Sequence, residues 1–203
     1  MEKIKQFSKI FLIITIIFLG YIIFESFTYL ASAQTTQTVN VSATVTTTVT
    51  CSFSTTTTSF GTIDPSQVWT SSPNVTTTIS CNPAGGCQVQ VKDQGNGTDP
   101  GLYNSTANYL IQSQDATLSA GTEGYGIQAA TTTAGSGSTL SLNSKYNKTG
   151  NDVGGLTTSY TILATSSSPT ANREIVVTHK AAISGLTPAG SYQDIITYNC
   201  VSN

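Results

Sequence analysis

The feature that most narrows what this chain can fold into is an apolar side chain at every second position. From Val39 the phase runs through Val41, Ala43, Val45, Val49, Cys51 and Phe53, with Thr47 as its one polar member, while Asn, Ser and Thr fill the alternate positions. Residues two apart share one face of a strand, so this stretch predicts a long half-buried strand, or two strands joined by a bend. Val75, Thr77, Ile79 and Cys81 repeat the pattern, as do Cys87, Val89 and Val91. Towards the C-terminus it returns at Ile175, Val177, His179, Ala181 and Ile183, then at Ile196, Tyr198 and Cys200. Beyond residue 33 no helical period is sustained, and abundant threonine suits pleated, half-exposed surfaces.

Turn chemistry separates these runs. Asn82-Pro83-Ala84-Gly85-Gly86 reads as a hairpin loop, and Thr187-Pro188-Ala189-Gly190 as a turn before the last strand. Gln94 to Gly101 and Lys145 to Gly155 read as exposed loops, and Ala130 to Ser138 as a mobile one. Several short strands divided by turns predict an all-β, antiparallel β-sandwich.

The N-terminus is different in kind. Lys3, Lys5 and Lys9 precede an apolar run from Ile10 to Phe24, and Ala31-Ser32-Ala33 follows. A charged start, an apolar middle and an A-x-A site describe a signal peptide helix over residues 1–33, cleaved after Ala33 with Ala31 and Ala33 as the recognition pair. The rival is an uncleaved anchor, for which Ile10 to Ala31 supplies 22 residues. Membrane contact is expected through this segment alone, leaving residues 34–203 as one domain, secreted or at the cell surface.

Removing Lys3, Lys5, Lys9, Glu2 and Glu25 from 8 basic and 10 acidic residues leaves five against eight, net −3. A weakly acidic domain with one arginine, Arg173, offers no footprint for nucleic acid. Its four cysteines, Cys51, Cys81, Cys87 and Cys200, read as two disulfides in an exported chain. No paired C-x2-C spacing points to zinc.

Catalytic machinery is not expected. His179 is the single histidine and sits in a strand phase, no G-x-S-x-G or phosphate loop occurs, and the carboxylates lie mostly singly in loops. Asp93, Asn96 and Asp99 offer oxygens but lack the spacing of a calcium loop, so neither metal nor cofactor is expected. N-x-S/T triplets begin at Asn40, Asn74, Asn96, Asn104 and Asn147, as chance allows in a chain rich in Asn and Thr. Phe60, before Gly61, is expected to plug the core. Trp69, with Tyr103 or Tyr109 beside it, is the candidate ligand contact for a glycan or a protein partner.

Two stretches carry a resemblance: Cys51 to Cys81 with Phe60-Gly61 between, preceded by the alternating Thr38 to Thr50, and Pro188-Ala189-Gly190-Ser191-Tyr192-Gln193-Asp194 to Tyr198. Together they resemble the spore coat protein U family and, more distantly, chaperone–usher fimbrial subunits, over about half of the mature chain. Residues 95–170 match nothing in that pattern. The resemblance implies an immunoglobulin-like sandwich with an early disulfide between the first two strands. By that analogy the bonds are Cys51–Cys81 and Cys87–Cys200; Cys81–Cys87 with Cys51–Cys200 stays open.

The resemblance also implies a role and partners. It suggests a non-catalytic structural or assembly subunit whose residues Thr38 to Val45 donate a strand to another copy or a related subunit. The simpler expectation is that this segment is the chain's own first strand. An adhesin or carbohydrate-binding module is the alternative function.

Overall fold

Period-two segments become strands wherever a neighbouring strand accepts their ladder. The computed structural model describes residues 2–27 and 35–203; the expected cleavage pair Ala31 and Ala33 lies outside them. A helix, α1 (Glu2–Phe27), is followed by fourteen strands. They are β1 (Val49–Phe53), β2 (Trp69–Thr70), β3 (Val75–Cys81), β4 (Cys87–Asp93), β5 (Gly101–Asn104), β6 (Tyr109–Gln112) and β7 (Ala116–Thr117). The remainder are β8 (Gly124–Thr131), β9 (Ser136–Gly137), β10 (Ser141–Leu142), β11 (Asp152–Val153), β12 (Thr161–Thr165), β13 (Thr170–Ala182) and β14 (Ile196–Ser202).

The chain divides into two units, residues 1–44 and 45–203. In the first, Lys3–Phe24 is long and apolar enough to cross a membrane, with a mean hydropathy of 2.4, as a signal sequence or an anchor both require. Residues 35–44 form no strand, and Val39 and Val41 are 84% and 91% exposed.

The second unit is all-β, and its named strands pair antiparallel throughout. One sheet is built on β13, with β3 and β2 along one side, β8 and β9 along the other, and β1 outermost beyond β3. A second sheet runs β10-β12-β4-β14. Two ribbons, β5–β6 and β7–β11, complete it. The apolar phases meet in one core: Ile79, Ile127, Ile175 and Val177 from the first sheet pack with Val89, Val91 and Leu163 from the second. Each such fully buried side chain contributes about 1.5–3 kcal/mol of transfer free energy. Phe60 packs against this core and meets Tyr125 edge-on, as expected.

Several expectations are corrected. The predicted strand from Val39 narrows to Val49–Phe53, because the β1–β3 register pairs Val49 with Cys81, the last residue of β3. Upstream of that pair the contact is with Asn82 alone: its backbone N–H donates to the Thr48 carbonyl (3.2 Å), and its side chain accepts from Thr48 N–H (2.7 Å) and donates to the Thr46 carbonyl (2.8 Å).

Residues 82–86 form no hairpin, since β3 and β4 belong to different sheets; the turn carries the chain across the core. Residues 145–155 are not a purely exposed loop, for Tyr146 and Val153 are buried and β11 pairs with β7. Nor is the 130–138 segment loose: the Arg173 guanidinium donates to the carbonyls of Ala134, Gly137 and Ser138.

The cysteine pairing that the resemblance implied is overturned. The bonds are Cys51–Cys200 and Cys81–Cys87. Cys81 and Cys87 bracket the crossing turn, buried and 6.4 Å apart at Cα. Cys51 sits opposite Ile79, not Cys81, on the ladder, and its side chain reaches across to β14.

Candidate functional site

Each sheet ends in an edge strand on the same side of the domain: β1 in one, β14 in the other. Their edges are joined by Cys51–Cys200 and by the Phe53–Tyr198 ring contact, with centroids 5.3 Å apart. Beyond Phe53 a groove of about 1090 Å³ opens, at the upper end of the range for ligand sites. Residues 55–63 form one wall and residues 183–198 the other, above a floor that includes Val75, Leu102, Tyr125 and His179. No lysine, arginine or glutamate lines it, and Asp194 is its one carboxylate.

His179 reaches the floor by strand phase. It alternates with buried Val177 and Ala181, lies opposite Ile127 on β8, and is 4% exposed. Burial alone pushes its imidazole down to about 4, so the ring is neutral at physiological pH. No carboxylate contributes to that shift, and the arrangement of a general base held by an acid is not formed at His179.

The 183–198 wall is held by the residues of the P-A-G-x-Y-x-D motif. The Tyr192 hydroxyl donates to the Pro188 carbonyl (2.8 Å). Gly190 has φ +147°, and a Cβ there would lie 2.4 Å from the Asn104 amide nitrogen. Tyr103 and Gln193 exchange backbone hydrogen bonds of 2.9 and 3.0 Å, fixing the motif against β5. Lower in the wall, Tyr125 donates to Asp194 (3.1 Å).

Beside Asp194 stands Asp93, 1% exposed at the end of β4. Burial first, and then the neighbouring Asp194 carboxyl, push Asp93 up to about 8. Burial raises Asp194 as well, and both Asp93 oxygens are buried without a hydrogen-bond partner. The sequence reading missed this pair, although a signal was present: Asp93 continues the inward phase of Cys87, Val89 and Val91.

The aromatic candidates do not gather. Trp69 lies half-buried on β2 and spends its indole N–H on the Asp64 carbonyl (2.9 Å). The Tyr103 hydroxyl donates to Asn108 (2.8 Å). The Tyr109 hydroxyl reaches both Glu123 oxygens (2.9 and 2.8 Å), and Thr187 from the groove wall bonds the same carboxylate. The ring pairs of the described residues involve none of these three.

In the loop of Asp93, Asn96 and Asp99, Asn96 Oδ1 accepts from Thr98 and Asp99 N–H, so the loop closes on its own backbone. No group of three metal-ligating side chains occurs among the described residues.

No known family matches this chain. Neither a curated protein nor a solved structure matches it either.

Proposed function

We propose that this chain is a non-catalytic structural subunit of a cell surface, exported by its N-terminal segment, which assembles with copies of itself by strand donation. One juxtaposition carries the reading: a groove with a single carboxylate that opens beside the free edge of β14, and an uncharged, alternating, exposed segment that no strand pairs. A sheet edge is a template for backbone pairing, and the first three residues of β14, Ile196 to Tyr198, line the groove on an unpaired edge strand. Val39, Val41, Ala43 and Val45 supply side chains of matching period for one face of such a strand.

Placement favours a second copy as the occupant. The chain enters the domain at Thr46–Thr48, at the start of β1, whereas the groove begins at Phe53, its other end. Five residues of strand separate the two, roughly 17 Å. An interface that joins one end of a subunit to a different place on the next is heterologous and propagates as a filament. The motif residues that resemble the spore coat protein U family shape one wall of the groove, which supports kinship with it; the disulfide pairing departs from that pattern.

Electron microscopy of the oxidised protein tests this. Filaments are expected, and deletion of residues 34–45 is expected to abolish them while both disulfides and the β-sheet circular dichroism persist. Assembly by the truncated chain, or the absence of any polymer from the intact one, would remove the proposal.

A further inference from the structure

The groove contains hydrogen-bonding groups that nothing in the domain uses. His179 Nδ1 on the floor, the Tyr198 hydroxyl on one wall and the Thr58 hydroxyl on the other are buried without a partner. No other hydrogen bond reaches the His179 ring. Each such orphan carries the full desolvation cost of its group. They are already closed to water, so an apolar occupant leaves that cost standing, whereas a polar side chain that the ring and the hydroxyl turn to meet recovers it. A neutral imidazole has one donor and one acceptor nitrogen, and a phenol both donates and accepts. Their complement is a group that also does both, and a primary carboxamide is one.

The donor segment carries such a group in the right phase. Counting back by two from Val45, Ala43, Val41 and Val39 reaches Gln37, then Thr35. Thr47 is in phase on the other side, but it lies between Thr46 and Thr48, whose backbones Asn82 holds. Gln37 adjoins the valines, and its side chain is two carbons longer than that of Thr35, as contact with a floor residue requires.

We propose that His179 and Tyr198 are the specificity contacts of the groove and that they receive the side-chain carboxamide of Gln37 from a second copy of this chain. This rests on the strand-donation reading above and adds to it the register of the incoming strand. Gln37 anchors one end, and Val39 and Val41 follow along the groove. A strand with leucine at that place leaves the imidazole and phenol unpaired. One with glutamate brings an unpaired carboxylate into a groove lined by no lysine or arginine.

The experiment uses two synthetic peptides, residues 35–46 with the native sequence and the same peptide with Gln37→Leu. Each is titrated into the oxidised full-length chain held dilute in detergent. Because the chain has one histidine, its imidazole nitrogen resonances report on His179 alone. The native peptide is expected to move them and to bind at least about tenfold more tightly than the leucine peptide. Against a His179→Phe chain, which leaves Tyr198 alone to meet the carboxamide, that difference should shrink to about threefold or less.

Equal or tighter binding of the leucine peptide to the native chain overturns the Gln37 assignment while leaving strand donation standing. So does binding that leaves the imidazole signals unmoved. If neither peptide binds, strand donation fails and the assignment falls with it. Should His179→Phe not fold, the peptide comparison and the imidazole signals on the native chain still decide.

Discussion

Cys51 and Cys200 sit on the outermost strands of two different sheets, 6.3 Å apart at Cα and 149 residues apart in sequence. Their bond closes one end of the gap between the edges and leaves the rest of it open. Closing so long a loop stabilises the fold by about 5 kcal/mol in the chain-entropy model, and measured values run lower. Replacing both residues by serine is therefore expected to cost about 3–5 kcal/mol. Urea denaturation of the double variant against the native protein checks this, and an unchanged midpoint would contradict it.

The Asp93–Asp194 pair predicts an unusual dependence on pH. In the unfolded chain Asp93 releases its proton near 3.8, whereas in the folded chain it keeps it to about 8. Between those values the folded state binds more protons, so this contribution is complete below pH 4 and is lost as pH rises to 8. For one proton the slope is at most about 1.4 kcal/mol per pH unit. Asp93→Asn removes the titration, so it should flatten the profile and raise the denaturation midpoint at pH 8. A variant whose profile still matched the native one would refute the raised Asp93 carboxyl.

Gly86 closes the turn that crosses between the sheets. Its φ is +77°, and an added Cβ would stand 2.2 Å from the Ser166 carbonyl oxygen, beside the buried Cys81–Cys87 bond. Both the strained dihedral and the collision with backbone act against a side chain. Gly86→Ala is expected to destabilise the domain by about 2 kcal/mol or more. Gly85→Ala, where no atom lies within 4 Å of the new Cβ, is the control.

Strand periodicity made the core legible before any coordinates. The phases through Ile79, Val89, Ile175 and Val177 all turned inward, because residues two apart cannot avoid sharing a face. The same pattern at Val39 and Val41 did not signal burial, since alternation records what a strand could cover and not whether a neighbour is present. Cysteine partners were unreadable for a related reason. Cys51 and Cys81 share a phase and a sheet, yet two residues of register and the space across to β14 decide the bond. The groove was hidden altogether, because it is made by segments more than a hundred residues apart. Its floor histidine, however, was visible as the polar member of an apolar phase.

The grip of Asn82 on Thr46 and Thr48 has a mechanical consequence. Tension applied to the N-terminal segment enters the domain at that clamp and runs lengthwise along β1. Its rungs against β3 are then sheared together instead of peeling one by one. Within two residues of Val49 the pull arrives at Cys51, where a covalent bond passes it to Cys200, three residues from the C-terminal residue. Stretching would thus be borne by sulfur between the first strand and the last, and the core between them need not yield.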